Sequence, residues 1–128
     1  MQSVRQLQAL ADPTRLRLLA LLGAGPLCVC HFQTVLREPQ AKISKHLAVL
    51  RTRGLVAARR EGQWMVYALA EPAPAALAGL DAMVKGEAQL RRDREKLTRL
   101  DLSCSPVAGA RRLVAAAGAK KGAAGCCA

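Results

Sequence analysis

Aromatic residues are nearly absent: Phe32, Trp64 and Tyr67 are the only three in 128 residues. Readers of single-stranded nucleic acid stack bases on aromatic platforms, so the expected polyanionic partner of this chain is a duplex. Acidic residues are scarce too, nine Asp and Glu against twenty Lys and Arg, for a formal net charge of +11. That imbalance implies an anionic partner without separating DNA from RNA or a membrane surface. No apolar run reaches the roughly 18–20 residues that span a bilayer. The opening MQSVRQLQAL lacks the apolar core of a secretion signal. The expectation is a cytoplasmic protein with no membrane partner, in which five cysteines stay reduced. Thiols in that compartment suggest metal or redox chemistry before structural disulfides. The length allows one domain, with a core small enough to be supplemented by a dimer interface.

The positive charge is concentrated. Residues 37–62 hold Arg37, Lys42, Lys45, Arg51, Arg53, Arg59 and Arg60 against Glu38 and Glu61, and residues 102–128 hold four basic and no acidic side chains. Residues 2–11 place Val4, Leu7, Leu10 and Ala11 at helical spacing. Asp12-Pro13-Thr14 restarts the chain, with Asp12 as N-cap and Pro13 at the first helical position. The second helix ends at Gly23 before Gly25-Pro26. A short helix over Val29–Leu36 is broken by Arg37-Glu38-Pro39. Helix Gln40–Arg53 follows, with Ile43, Leu47 and Leu50 on one stripe and Gly54 closing it.

A short helix, a tight turn and a longer amphipathic helix are the signature of a helix-turn-helix. LVAARR and QWMVYAL, joined through Glu61-Gly62, are the two strands of a wing. Residues 73–101 are expected to form one last long helix, in which Leu77, Leu80, Val84, Leu90 and Leu97 need a partner surface. From residue 102 the composition turns to Ala, Gly and Lys, which suggests a flexible tail after a domain of residues 1–101. The fold expected is mainly α with a small β-hairpin, a winged helix-turn-helix, as a homodimer.

The apolar stripe fixes the opposite face of its helix at 3.6 residues per turn. Ala41, Lys45, Ala48 and Thr52 point outward, flanked by Lys42, Ser44 and Val49. Small side chains there let the helix sink into a major groove roughly 12 Å wide. Lys42 and Lys45 reach phosphate or guanine, Gln40 reads adenine, and Ser44 suits either. Arg59 and Arg60 follow on the hairpin. His46 lies on the core flank as a packing residue, and His31, beside Cys30, is expected at the helix surface.

LADPTRLRLLALL, LCVCHFQTVL, QAKISKHLAVLRTRGLV and REGQWMVYAL resemble the ArsR/SmtB repressor family in order and spacing, over about residues 3–70. The resemblance implies a homodimer built on the first and last long helices, bound to an inverted-repeat operator and released by a metal or metalloid. Leu-Cys-Val-Cys is similar to the arsenic-sensing branch, which implies Cys28 and Cys30 as thiolate ligands of As(III) or Sb(III), with no permanent cofactor. Soft thiolates suit such a centre. On a regular helix the two would point about 200° apart, whereas in an extended segment they share a side. Chelation by both therefore asks for an unwound or bent helix start.

The best-known arsenic pattern has a third cysteine where this chain has Gln33. Cys104 is preferred as third ligand, with Cys126 and Cys127 as alternatives, while methylarsenite needs only Cys28 and Cys30. Zinc, cobalt or nickel sensing in the family uses Asp and His pairs on the last helix, and residues 73–101 contain no histidine. The runner-up is a redox or persulfide sensor in which Cys28 or Cys30 pairs with Cys104. An enzyme is not expected, since C-x-C is not the C-x-x-C of thioredoxin-like motifs and no strand-helix-strand frame surrounds it.

Overall fold

In a computed structural model, residues 1–102 are described; they form α1 (Gln2–Leu10), α2 (Pro13–Leu22), β1 (Leu27–Cys28), α3 (Val29–Leu36), α4 (Gln40–Thr52), β2 (Val56–Glu61), β3 (Trp64–Leu69), a 3-10 turn (Ala75–Leu77), α5 (Leu80–Gly86) and α6 (Ala88–Thr98). Cys104, Cys126, Cys127 and the tail lie outside the described residues. Leu100 and Leu102, at its threshold, still pack against the core.

α2 starts where Asp12 accepts the Arg15 N–H at 3.0 Å and Pro13 supplies a preset φ. Its five consecutive residues Leu18 to Leu22 are all buried, so α2 is wrapped on every side, with α1, α4, α5, α6 and β3 packed around it. The Ile43-Leu47-Leu50 stripe of α4 is fully buried beside Phe32 and Val35 of α3. Burial of each such side chain is worth about 1.5–3 kcal/mol. Between the two helices Arg37 takes a left-handed φ of 55° as the C-cap of α3. That conformation reverses the chain in few residues and carries a Cβ penalty that glycine would avoid. Pro39, extended, then starts α4.

The wing is antiparallel, with Val56 opposite Leu69 and Glu61 opposite Trp64. Its two-residue turn is Gly62-Gln63, where Gly62 has φ 60°, the glycine-first geometry whose twist matches the flanking strands. A third strand, β1, joins the far side of β3 and gives the order β1-β3-β2. Two residues carry no periodicity, which is why β1 is not legible in the sequence.

The single long helix expected over residues 73–101 is not formed. Glu87 is extended, with φ −107° and ψ 117°, and separates α5 from α6. Gly79 and Gly86 flank α5 and weaken helix propagation there. The reversal folds α6 back on α5, α2 and α3. As a result Leu77, Leu80, Val84, Leu90 and Leu97 are 2–7% exposed within one chain and need no partner. Asp93, on the same α6 face, is fully buried. It accepts Arg17 Nε at 2.7 Å, a second Arg17 nitrogen at 2.9 Å and Gln89 Nε2 at 2.9 Å, which ties α6 to α2. Among the described residues, the large apolar side chains left exposed are Met1, Val4 and Leu7 at the α1 end and Met83 on α5.

Candidate nucleic-acid interface and thiol pair

α4 presents Gln40, Ala41, Lys42, Lys45, Ala48 and Thr52 to solvent, with Ser44 half-buried at the edge. The outward face derived from the apolar stripe is the one observed. An open groove of about 310 Å³ runs along it, lined by Lys45, Ala48, Val49, Thr52 and Arg53. The small side chains keep this surface shallow, and Thr52 turns its hydroxyl inward to donate to the Ala48 carbonyl at 2.9 Å. Arg59 and Arg60 are both exposed on β2. As neighbours in a strand they point to opposite faces of the wing, so the hairpin offers one arginine on each side. At the other end of α4, Gln2 Nε2 and Gln6 Nε2 both donate to the Arg53 carbonyl, at 2.9 and 3.0 Å. These amides satisfy a carbonyl at the helix end and fix α1 to α4.

The cysteine pair sits where β1 becomes α3. Cys28 is extended, with φ −90° and ψ 162°, and is the N-cap of α3, while Cys30 lies in its first turn. The departure from regular helix that two-thiol chelation asks for is thus present at Cys28. Cys28 is 2% exposed and Cys30 half-buried, and both border the same small apolar cluster with Val66 and Trp64. Cys28 also pairs with Val66 in the sheet.

His31 corrects the sequence reading: it is fully buried, not a surface residue. Its Nδ1 accepts the Cys28 N–H at 3.0 Å, and the Cys28 side chain faces the His31 N–H in return. This is a capping box with cysteine in the place of serine and histidine in the place of glutamate. With Nδ1 accepting, the neutral ring carries its proton on Nε2. Among the described residues no three His, Cys, Asp or Glu side chains gather as a metal site. Cys28 and Cys30 stand two residues apart at the start of α3.

The profile described as "Bacterial regulatory protein, arsR family" matches residues 12–58, from the α2 cap into the wing. The arsenical resistance operon repressor of Escherichia coli (strain K12) is 45% identical over 73 residues, 56% of this chain and 62% of that repressor. The chain therefore spans about three fifths of that relative's length. Among solved structures, reduced HlyU from Vibrio cholerae N16961 superposes with a TM-score of 0.62 at 31% identity, over 68% of this chain and 90% of that one. A homodimeric winged helix-turn-helix DNA-binding domain from Mycobacterium bovis, a possible ArsR-family regulator, gives 0.56 at 35% identity, over 66% and 76%. The chain belongs to the arsR family of bacterial regulatory proteins.

The winged helix-turn-helix expected from the sequence is the fold of this arsR-family protein, and its family is one of transcriptional regulators, not enzymes. Among the described residues no helix is long and apolar enough to cross a membrane. Electrostatics secure the entrance to α2. Burial pushes the Asp12 carboxyl up, but the Arg15 N–H, the Arg15 charge, nearby His46 and the Thr14 N–H together hold it below its ordinary 3.8. The hydrogen bonds of Asp93 hold the Arg17 guanidinium in its charged form against partial burial, with the Asp93 and Glu38 charges adding to the effect.

Sequence reasoning placed the exposed face of α4 and missed three supports of this arsR-family site. The His31–Cys28 box had a usable signal, since residues three apart at a helix start are the capping-box spacing. The Gln2 and Gln6 amides had none, because they join residues 47 and 51 positions apart. Asp93 had only a faint one, an acid at the spacing of Leu90 and Leu97.

Proposed function

We propose that this arsR-family protein is a repressor that binds an inverted-repeat duplex operator as a homodimer and leaves it when As(III), Sb(III) or methylarsenite is held by Cys28 and Cys30. One observation carries the proposal: Cys28 at once caps α3, pairs with the wing strand and lies beside a second thiol. The resemblance to the arsenical resistance operon repressor supports the same effector class.

α4 reads the duplex. Gln40, Lys42, Ser44 and Lys45 stand at its N-terminal half, the part that meets base edges in helix-turn-helix proteins, and Ala41 and Ala48 allow close approach. Arg59 and Arg60 carry the wing onto phosphate. The exposed Val4 and Leu7 of α1 are the apolar surface for the second copy. Because Gln2 and Gln6 on that helix hold the end of α4, the dimer sets the spacing of the two reading helices.

A trivalent metalloid supplies a soft centre for deprotonated thiols. The chain's own residues do the rest. A Cys28 thiolate engaged as a ligand no longer serves the His31 N–H, so the first turn of α3 loses its cap. α3 packs directly on α4 and on β3, so a shift of α3 moves the reading helix and the wing together. A coupling of about 1–3 kcal/mol changes DNA affinity roughly 5–150-fold.

The test is a titration of DNA binding with arsenite, methylarsenite, antimonite, zinc, cadmium and hydrogen peroxide. Release by the trivalent metalloids supports the proposal. Release by peroxide alone moves the protein to the runner-up, a thiol redox or persulfide sensor, and release by zinc alone refutes the effector assignment.

A further inference from the structure

Only two acidic residues lie in residues 37–62, Glu38 and Glu61, and each is paired with a cation assigned here to DNA. Glu38 Oε1 accepts from Lys42 Nζ at 3.0 Å, and Glu61 Oε1 from Arg59 Nε at 2.7 Å. Lys45 and Arg60 have no ion-pair partner among the described residues. The reading helix and the wing thus each carry one cation closed by a nearby carboxylate, beside cations with no ion-pair partner among the described residues: Lys45 and Arg51 on α4 and Arg60 on the wing.

Ion pairing within a helix does not describe the first pair. Glu38 and Lys42 have the i,i+4 spacing, but Glu38 precedes the N-cap Pro39 and lies outside α4. Exposed ion pairs of this kind contribute little to stability. Their effect on a polyanion is larger, since each carboxylate cancels a cation and repels the approaching phosphates.

The two pairs differ in place. Glu38 stands beside the start of α4, the end of a reading helix that meets base edges. Glu61 stands at the hairpin end, next to the Gly62-Gln63 turn. We infer that Glu38 is a specificity-determining residue, which closes Lys42 against duplexes of the wrong sequence and releases it at the right one, while Glu61 is a brake of charge alone on the wing. The inference rests on the reading of α4 as the DNA surface.

The physical reason lies in what each duplex can give back. On an arbitrary sequence, attraction is almost wholly between cations and phosphates, so the Glu38 charge opposes binding in full. In a matching groove Lys42 turns to guanine O6 and N7, and the freed Glu38 carboxylate accepts from a cytosine N4 amine. The opposition is thereby recovered at the operator and nowhere else. Glu61, away from base edges, opposes both duplexes alike.

The experiment compares two probes: a duplex selected from a randomised pool by the wild-type protein, and a scrambled duplex of the same composition. Glu38→Gln should raise affinity for the scrambled duplex about 3- to 10-fold and leave affinity for the selected one unchanged or lower. The specificity ratio then falls by at least that factor. Glu61→Gln should raise both affinities together and keep the ratio. Glu95→Gln, an exposed carboxylate on α6, controls for net charge and should move neither affinity more than about twofold. Equal gains on both duplexes for Glu38→Gln, or no gain on either, would overturn the assignment while the reading of α4 stands. Failure of the wild-type protein to select any sequence would refute the reading of α4 and this inference with it.

Discussion

Replacement of Cys28 separates its two roles, as the cap of α3 and as a soft ligand. Serine is among the best N-cap residues, so Cys28→Ser keeps an acceptor for the His31 N–H and leaves the His31 Nδ1 contact to the backbone N–H untouched. The site is 2% exposed, yet the new hydroxyl is not stranded, because its partner is already in place. Stability should therefore stay within about 0.5 kcal/mol of wild type. Cys28→Ala removes the cap and should cost about 0.5–2 kcal/mol. For a domain of this size about 1 kcal/mol lowers Tm by roughly 4–8 °C. Both variants lose a thiolate, and oxygen does not replace sulfur toward a soft centre. The expected pattern is thus a normal melt, normal DNA binding and no arsenical release for Cys28→Ser, and a lowered melt with no release for Cys28→Ala. Thermal melts followed by circular dichroism, with fluorescence anisotropy on labelled operator with and without methylarsenite, read all of these. Two outcomes would refute the reasoning: a Cys28→Ser melt as low as that of Cys28→Ala, or release of Cys28→Ser by methylarsenite.

Asp93→Ala leaves the partly buried Arg17 guanidinium without its bidentate partner and should destabilise by about 3 kcal/mol, measured as a lowered midpoint in urea. Asp12→Ala should cost about 1 kcal/mol at neutral pH. Because the Asp12 carboxyl titrates below 3.8 in the folded chain, its contribution is present above that value and lost as pH falls through the folded one; the gap between wild type and variant should close in strong acid, followed by denaturation at pH 7 and in a series below pH 4. Cys104→Ser should weaken release by arsenite and spare release by methylarsenite, as read by DNA-binding titration. Arsenite release that survives this change but is lost on replacing Cys126 and Cys127 together would move the third ligand from Cys104 to that pair.

Much of this protein is legible in the sequence because its determinants are local. Asp12-Pro13 sets the start of α2, the Ile43-Leu47-Leu50 stripe sets the buried face of α4 and so its exposed one, and Gly62 sets the wing turn. Each is decided by residues within a few positions of one another, through caps, the 3.6-residue period and turn geometry. The nature of the thiol site, two cysteines at the entrance to a short helix, is local as well.

What only the tertiary structure decided depends on residues far apart in the chain. Leu77, Leu80, Val84, Leu90 and Leu97 fit a long helix facing a partner, but periodicity says only that a face is apolar, not what covers it. The reversal at Glu87 covers that face with the chain's own core and brings Asp93 to Arg17, 76 positions away. His31 reads as a surface residue until β1 pairs with β3 and closes the first turn of α3. The pairs Lys42–Glu38 and Arg59–Glu61 are the exception: they are four and two positions apart, yet which carboxylate each cation meets shows only once the side chains are placed. Short-range spacing fixed the elements and their faces; long-range packing and ion pairing fixed which faces are buried and which charges are left for a partner.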